Sequence, residues 1–235
     1  MNQRIGWSAI VLAIAFNMPY AILAASCEYP QILRMGAAHV LDRFAAGGAP
    51  LVLTWYAFGL TAFALIPMAI ALAITPARMS AQPARAIAAA ATGALSGLAQ
   101  AVGLWRWAFV VPDVARAHVA SDATAASRSA SEAAFAVLNQ YGGVAVGEHL
   151  GQLLLALFVL LLASLQHDER QRVAATLGIG TALLLAIGTD EGLALAIGQS
   201  GELLSIATII GFLGLSAWLI ATGVGMIRSA APARP

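Results

Sequence analysis

Leu153-Leu154-Leu155-Ala156-Leu157-Phe158-Val159-Leu160-Leu161-Leu162-Ala163 is a run of eleven consecutive apolar residues. With the stretch before it, the run reads as a helix from Glu132 to Gln166. That is longer than the roughly 20 residues that cross a hydrocarbon core about 30 Å thick. The crossing is therefore placed at residues 135–166, with the first turns of the helix outside the hydrocarbon. Composition agrees that the solvent is lipid. Hydrophobic residues make up 60% of the 235-residue chain and charged ones 10%, against roughly 25% charged in soluble domains. Such a chain cannot cover a water-facing surface.

Five further apolar stretches are long enough to span: residues 5–26, 50–74, 86–111, 173–189 and 203–227. The first follows Arg4 and ends in Ala24-Ala25-Ser26-Cys27, the outline of a signal peptide with a lipoprotein-like cleavage box. Its apolar run exceeds the usual signal core of about 7 to 15 residues, so it is read as a membrane helix, kinked at Asn17 and Pro19. Between Glu28 and Gly48, Ile32, Leu33, Met35, Val40, Leu41 and Phe44 recur at near-helical spacing among Arg34, His39, Asp42 and Arg43. This is the pattern of an amphipathic helix lying on the membrane.

Small residues from Ala88 to Gly97 mark the third span as a closely packed, central helix. Pro112 to Ser131 reads as an exposed loop with some helical character. Leu193 to Gly201 reads as a re-entrant or interfacial turn after Asp190-Glu191-Gly192. Trp7, Trp55 and Trp218, near span ends, are expected in the interfacial aromatic belt with Tyr56. The fold expected is a single all-α domain, a polytopic bundle of about six transmembrane spans.

Arginine placement orients it. With the N-terminus inside, the inner segments hold Arg4, Arg78, Arg85, Arg170, Arg172, Arg228 and Arg234, and the outer ones hold Arg34, Arg43, Arg116 and Arg128. Seven against four favours both termini in the cytoplasm, in a bacterial inner membrane. All twelve basic residues are arginine, as in a GC-rich bacterial coding sequence.

Several function classes fall away. A net charge of +1 spread over short loops gives no face that could track phosphates, so nucleic acid is not an expected partner. Cys27 is the single cysteine and cannot form an internal disulfide. No glycine-rich phosphate loop, nucleophile elbow or paired Cys motif is present, so no cofactor is expected. The four histidines lie at no ligand spacing, so no metal is expected either. His39, His118 and His167 are read as solvated loop residues.

The stretch carrying chemistry precedes the apolar run. Asn139-Gln140-Tyr141 leads to Gly147-Glu148-His149-Leu150-Gly151-Gln152. At about 100° per residue, Tyr141 and Gln152 fall within about 40° of Glu148, with His149 to one side. A carboxylate at membrane depth costs about 2.5 to 3.5 kcal/mol, which the apolar residues after it offset at roughly 0.3 to 0.6 each. Glu148 must then face protein or water. A Glu beside a His suits proton handling, cation binding or acid–base work. Alternatively, Glu148 pairs with Arg106 of the third span and locks two helices together. Arg106, between Trp105 and Trp107, could itself bind an anionic group or snorkel to the interface.

Asp42-Arg43-Phe44, Leu53-Thr54-Trp55-Tyr56 and the run from Asn139 to Gly151 resemble an uncharacterised family of six-helix bacterial membrane proteins, a domain of unknown function. The resemblance implies a six-helix integral membrane fold and carries over no activity, substrate or catalytic residue.

The residues therefore suggest binding or transport of a proton, ion or small polar solute at Glu148, His149, Gln152, Arg106 and Tyr141, in the outer half of the bundle. One alternative is an accessory or structural subunit whose small-residue and apolar faces bind another membrane protein, or a second copy of the chain. A third reading is an intramembrane enzyme using Glu148 and His149. A cavity holding Glu148, His149 and Arg106 would separate the first reading from a scaffold.

Overall fold

The computed structural model describes residues 2–229, so Arg234, counted in the orientation, lies outside them. Among the described residues there is no strand, and six helices are long and apolar enough to cross a membrane. They are α1 (Gln3–Ser26), α2 (Ala37–Ala73), α3 (Pro83–Val119), α4 (Ala125–Asp168), α5 (Arg172–Ala196) and α6 (Glu202–Ser229). The chain is a multi-pass membrane protein.

Each helix packs against its neighbours in sequence, and α6 returns to pack on α1, so the six form a closed ring. Short connections favour this order, because antiparallel neighbours need few linking residues. Where the ring is tightest, small residues permit it. Gly6 of α1 lies so close to Gly223 of α6 that a Cβ there would sit 2.6 Å from the Gly223 carbonyl oxygen. In lipid, packing at this range is what holds helices together.

The end carrying the chain termini is filled and latched. Leu155, Phe158, Leu162, Trp218 and Leu219 are 0–1% exposed there and in the bundle centre. Trp218 Nε1 donates to Gln166 Oε1 at 3.0 Å, and Gln166 Nε2 donates to Thr222 Oγ1 at 3.0 Å. In the second connection, a short helix (Pro76–Ala81) is capped by Thr75, whose hydroxyl accepts from the Arg78 amide. It presents Arg78 to Glu169 in a two-pronged pair, Nε to Oε1 at 2.6 Å and Nη2 to Oε2 at 2.7 Å. That geometry suits a guanidinium on a carboxylate.

The opposite end is built differently. After α1, a turn leads to a 3₁₀ segment (Gln31–Arg34), and a helix starts only at Ala37. The amphipathic stretch is present, with Val40, Leu41 and Phe44 buried, but it does not begin at Glu28 and its apolar side packs into the bundle. It joins the second span at Gly48, whose φ of 56° is open to glycine at no steric cost. Pro112–Ser131 is not an exposed loop. Val111–Val119 is helical with Val111, Ala115 and His118 buried, and the next helix starts at Ala125 under a Thr124 cap. Alanine-rich, charge-dotted sequence reads as loop when the apolar partners that cover its buried side are distant in the chain.

Two of the three tryptophans assigned to the belt are interior. Trp55 and Trp218 are both 0% exposed. Trp55 stacks on Trp107, ring centroids 4.7 Å apart at 13°. Tryptophan favours both interface and core, so sequence position alone does not separate the two. Trp7 stays exposed, as do Tyr56 and Phe109, which flank the half-buried Trp105. His118 is not solvated either: it is 6% exposed, 3.5 Å from Asp42 and 3.8 Å from Glu132.

Candidate functional site

Within α4, Asn139–Leu150 is wound as a π-helix. Such winding is rare and is found disproportionately at functional sites. Gly142, Gly143 and Gly147 make the stretch a weak α-helix former, and their bare backbone lets α3 press close. A Cβ on Gly103 of α3 would lie 2.6 Å from the Gly147 Cα. The wider turn advances fewer degrees per residue than an α-helix, so the seven residues from Tyr141 to Glu148 no longer make two full turns. Tyr141 consequently leaves the shared face. It is 72% exposed and borders a shallow outer groove with Val137 and Leu138.

Inside the ring lies a cavity of about 750 Å³, walled by all six helices and by the 3₁₀ segment. Arg106, Glu148 and Gln152 line it, together with Arg34, Tyr29 and Glu191. His149 does not. Its Nδ1 sits 2.9 Å from the Thr189 carbonyl oxygen, a distance that requires Nδ1 to carry the proton. The ring thus ties α4 to the end of the first α5 segment (Arg172–Gly188).

Glu148 is paired, with a partner other than the one expected. Arg34 Nη2 lies 2.5 Å from Glu148 Oε2, and Arg34 Nε is 3.0 Å from Glu191 Oε1. One guanidinium therefore joins the 3₁₀ segment, α4 and α5. Burial alone would lower the Arg34 pKa, but the two carboxylates reverse this and hold it above its ordinary value. The Tyr29 phenol, beside this group, is pushed up by burial and then by the charge of Glu148.

Arg106 has no carboxylate partner among the described residues. It is 7% exposed. Its Nη1 donates to the Gly103 carbonyl and its Nη2 to Asn139 Oδ1 at 2.9 Å, while Nε finds no acceptor. The guanidinium carbon lies 5.0 Å from the centre of the Trp107 ring, within cation–π range. Asn139 in turn donates to the Leu33 carbonyl at 3.4 Å. Arg106 is thus an interior residue, not a snorkelling anchor.

Away from this polar wall the cavity is mostly apolar, with Leu12, Leu65, Leu155, Leu215 and Leu219 alongside Asn17, Thr61, Ser205 and Thr208. Its exposed lining residues include Ile206 and Leu213 of α6, 46% and 60% exposed, and also Gln31, Arg34 and Glu202. Among the described residues no three His, Cys, Asp or Glu side chains gather as a metal site would require. Arg34, Tyr29 and Glu191 are the members of this wall not singled out beforehand. Arg34 had one signal, a lone cation among Ile32, Leu33 and Met35, which an amphipathic reading assigned to the water side.

A family model described as Domain of unknown function (DUF4386) matches residues 5–223. No curated protein and no solved structure matches the chain.

Proposed function

The chain belongs to the family described as Domain of unknown function (DUF4386), and we propose that it is a ligand-binding protein of a bacterial inner membrane. It takes up a small solute or ion in its ring cavity and serves as a carrier for it. The observation that carries this reading is the 750 Å³ cavity into which Arg106, Glu148 and Gln152 face. A volume of this order suits a small ligand, since binding pockets run roughly 300–1,000 Å³. A scaffold would have no use for such a void at membrane depth, where packing is what holds helices together.

In this reading the arginine bias puts both termini in the cytoplasm and the polar wall in the outer half of the bilayer. The ligand enters from that side, and passage to the cytoplasm requires the layer of Phe158, Leu162 and Trp218 to part. Proton handling by a Glu148–His149 pair is not the favoured form, because Glu148 lines the cavity and His149 does not. The same fact takes support from the enzyme alternative. The test is a thermal-shift screen of purified protein against small polar and amphipathic solutes. Binding in the cavity raises the melting temperature of the wild type and not of Ser205→Trp, which puts an indole into the cavity wall. No stabilising solute, or equal stabilisation of both proteins, overturns the proposal.

A further inference from the structure

We propose that residues 190–201, the connection between the membrane-crossing part of α5 and α6, form a flap over the mouth of this cavity, held shut by the Arg34–Glu191 pair and swinging aside to admit the ligand. The inference rests on the binding reading above and names the gate of that same cavity.

The connection is a small folded unit of its own. It holds the second α5 segment (Glu191–Ala196), with Asp190 at its cap. The Ala194 amide donates to the Asp190 carbonyl at 2.9 Å, and the amides of Ile197, Gly198 and Gln199 donate to the carbonyls of Leu193, Leu195 and Ala194 at 3.1, 3.1 and 2.8 Å. Backbone groups must find partners, so a piece that satisfies its own can move as a body. No residue of the segment is buried. Leu193 and Ile197 are 56% and 68% exposed, so displacement takes little apolar surface out of the core. Elements with few buried contacts are the ones that open locally at small cost.

The unit also sits where a gate must. Glu191 and Leu195 line the cavity, as do Gly201 and Glu202 after them. Glu191 stands between two walls: Arg34 Nε donates to its Oε1 at 3.0 Å, and a Cβ on Gly201 would lie 2.8 Å from its Cγ. Among the described residues, the Arg34–Glu191 bond is the one hydrogen bond that ties residues 191–199 to the rest of the bundle.

The posts on either side are fixed. At the root of the flap, the His149 ring holds the Thr189 carbonyl. Across the mouth, Ile32 is buried and Tyr29 packs edge-on against Tyr20, Trp55 and Phe58, so the 3₁₀ segment carrying Arg34 stays with the bundle. Gly198, with a φ of 75° and nothing within 4 Å of an added Cβ, supplies the pivot at the far end.

Charge explains why the latch can release. Breaking a buried ion pair is costly because it leaves one charge uncompensated. Arg34 is shared between Glu191 and Glu148, so when Glu191 swings out into water the guanidinium keeps Glu148. Release strands neither partner.

The experiment follows the reaction of Gln152→Cys, at the cavity wall, with a charged membrane-impermeant thiol reagent, in full-length protein carrying Cys27→Ser and held in nanodiscs. Where the flap closes faster than the reagent reacts, the rate tracks the population of the open form. Glu191→Gln weakens the latch and is expected to speed labelling about fivefold or more. A disulfide joining Val144→Cys and Gly192→Cys pins the flap shut. A Cβ on Gly192 would lie 4.0 Å from the Val144 Cβ, within the usual disulfide range. Once formed and verified by mass, this bridge is expected to slow labelling about tenfold or more. Ala163→Cys, which is buried, reports folding in the Glu191→Gln background; should it react there, the disulfide arm decides alone. Labelling of Gln152→Cys at one rate with and without the bridge overturns the flap and leaves the binding reading standing. Slowing by the bridge with no effect of Glu191→Gln overturns the Arg34–Glu191 latch. Gln152→Cys inert in every form, Glu191→Gln included, overturns both the flap and the binding reading.

Discussion

Replacing Gly103 by alanine puts a methyl group against backbone. The new Cβ would lie 2.6 Å from the Gly147 Cα, 3.1 Å from the Gly142 carbonyl oxygen and 3.3 Å from the Gly147 nitrogen. Ordinary contact begins at 3.4 Å, so α3 and the π-wound part of α4 must part by roughly 0.8 Å, the difference between 3.4 and 2.6 Å. No side chain can rotate away to absorb this. Overpacking of this kind costs about 1–3 kcal/mol. For a chain of this size, at roughly 2–4 °C per kcal/mol, the melting temperature should fall by about 2–12 °C. Arg106 Nη1 is bonded to the Gly103 carbonyl, so the same shift disturbs the guanidinium and should weaken any ligand held there. The matched control is Gly180→Ala, where nothing lies within 4 Å of the added methyl. Alanine there should be neutral or stabilising by up to about 1 kcal/mol. Thermal unfolding of both variants in one detergent is the assay. Gly103→Ala as stable as Gly180→Ala would refute the close α3–α4 crossing on which the site is built.

Three other outcomes are expected. Gln166→Leu strands Trp218 Nε1 and the Thr222 hydroxyl, and should cost about 1–3 kcal/mol. Adding Trp218→Phe to it should recover part of the hydrogen-bonding loss in thermal unfolding, whereas strict additivity of the two variants would count against the network. Glu148→Gln alone should destabilise little, because Arg34 keeps Glu191, but joined with Glu191→Gln it should cost more than the sum of the single changes, as a double-mutant cycle would read. Burial pushes the Cys27 thiol above its ordinary 9.0, so its folded-state pKa exceeds the unfolded one. The stability from the neutral thiol is full below pH 9.0 and is lost as pH rises through the folded value. Maleimide labelling of folded protein near neutral pH should be slow, and prompt once detergent unfolds it; fast labelling of the folded form would contradict the burial.

The six crossings were legible because a span declares itself locally, in an apolar run such as Leu153 to Ala163, with no reference to the rest of the chain. The site was legible only where it shares that property. Glu148, Gln152 and Arg106 draw attention as polar groups at membrane depth, and all three line the cavity. Partnership is another matter. Arg34 reaches Glu148 across 114 positions and Glu191 across 157, and nothing in local spacing pairs them. α-Helical arithmetic sets Tyr141 on the face of Glu148, and the π-winding of Asn139–Leu150 breaks that arithmetic. Adjacency to Glu148 in sequence draws attention to His149, yet its ring points to the Thr189 carbonyl and lies outside the cavity lining. Tryptophans near span ends have two good environments, and only the closed ring decides that Trp55 is interior.

Cysteine accessibility from one side of the membrane bears on the cavity itself. In right-side-out cells carrying Cys27→Ser, a charged membrane-impermeant thiol reagent applied outside should modify Gln152→Cys, at the cavity wall. Ala163→Cys, 0% exposed and away from the cavity, should stay unreacted until the protein is unfolded. If Gln152→Cys is as inert as Ala163→Cys in the folded protein, the interior is closed to solutes and the binding proposal is wrong.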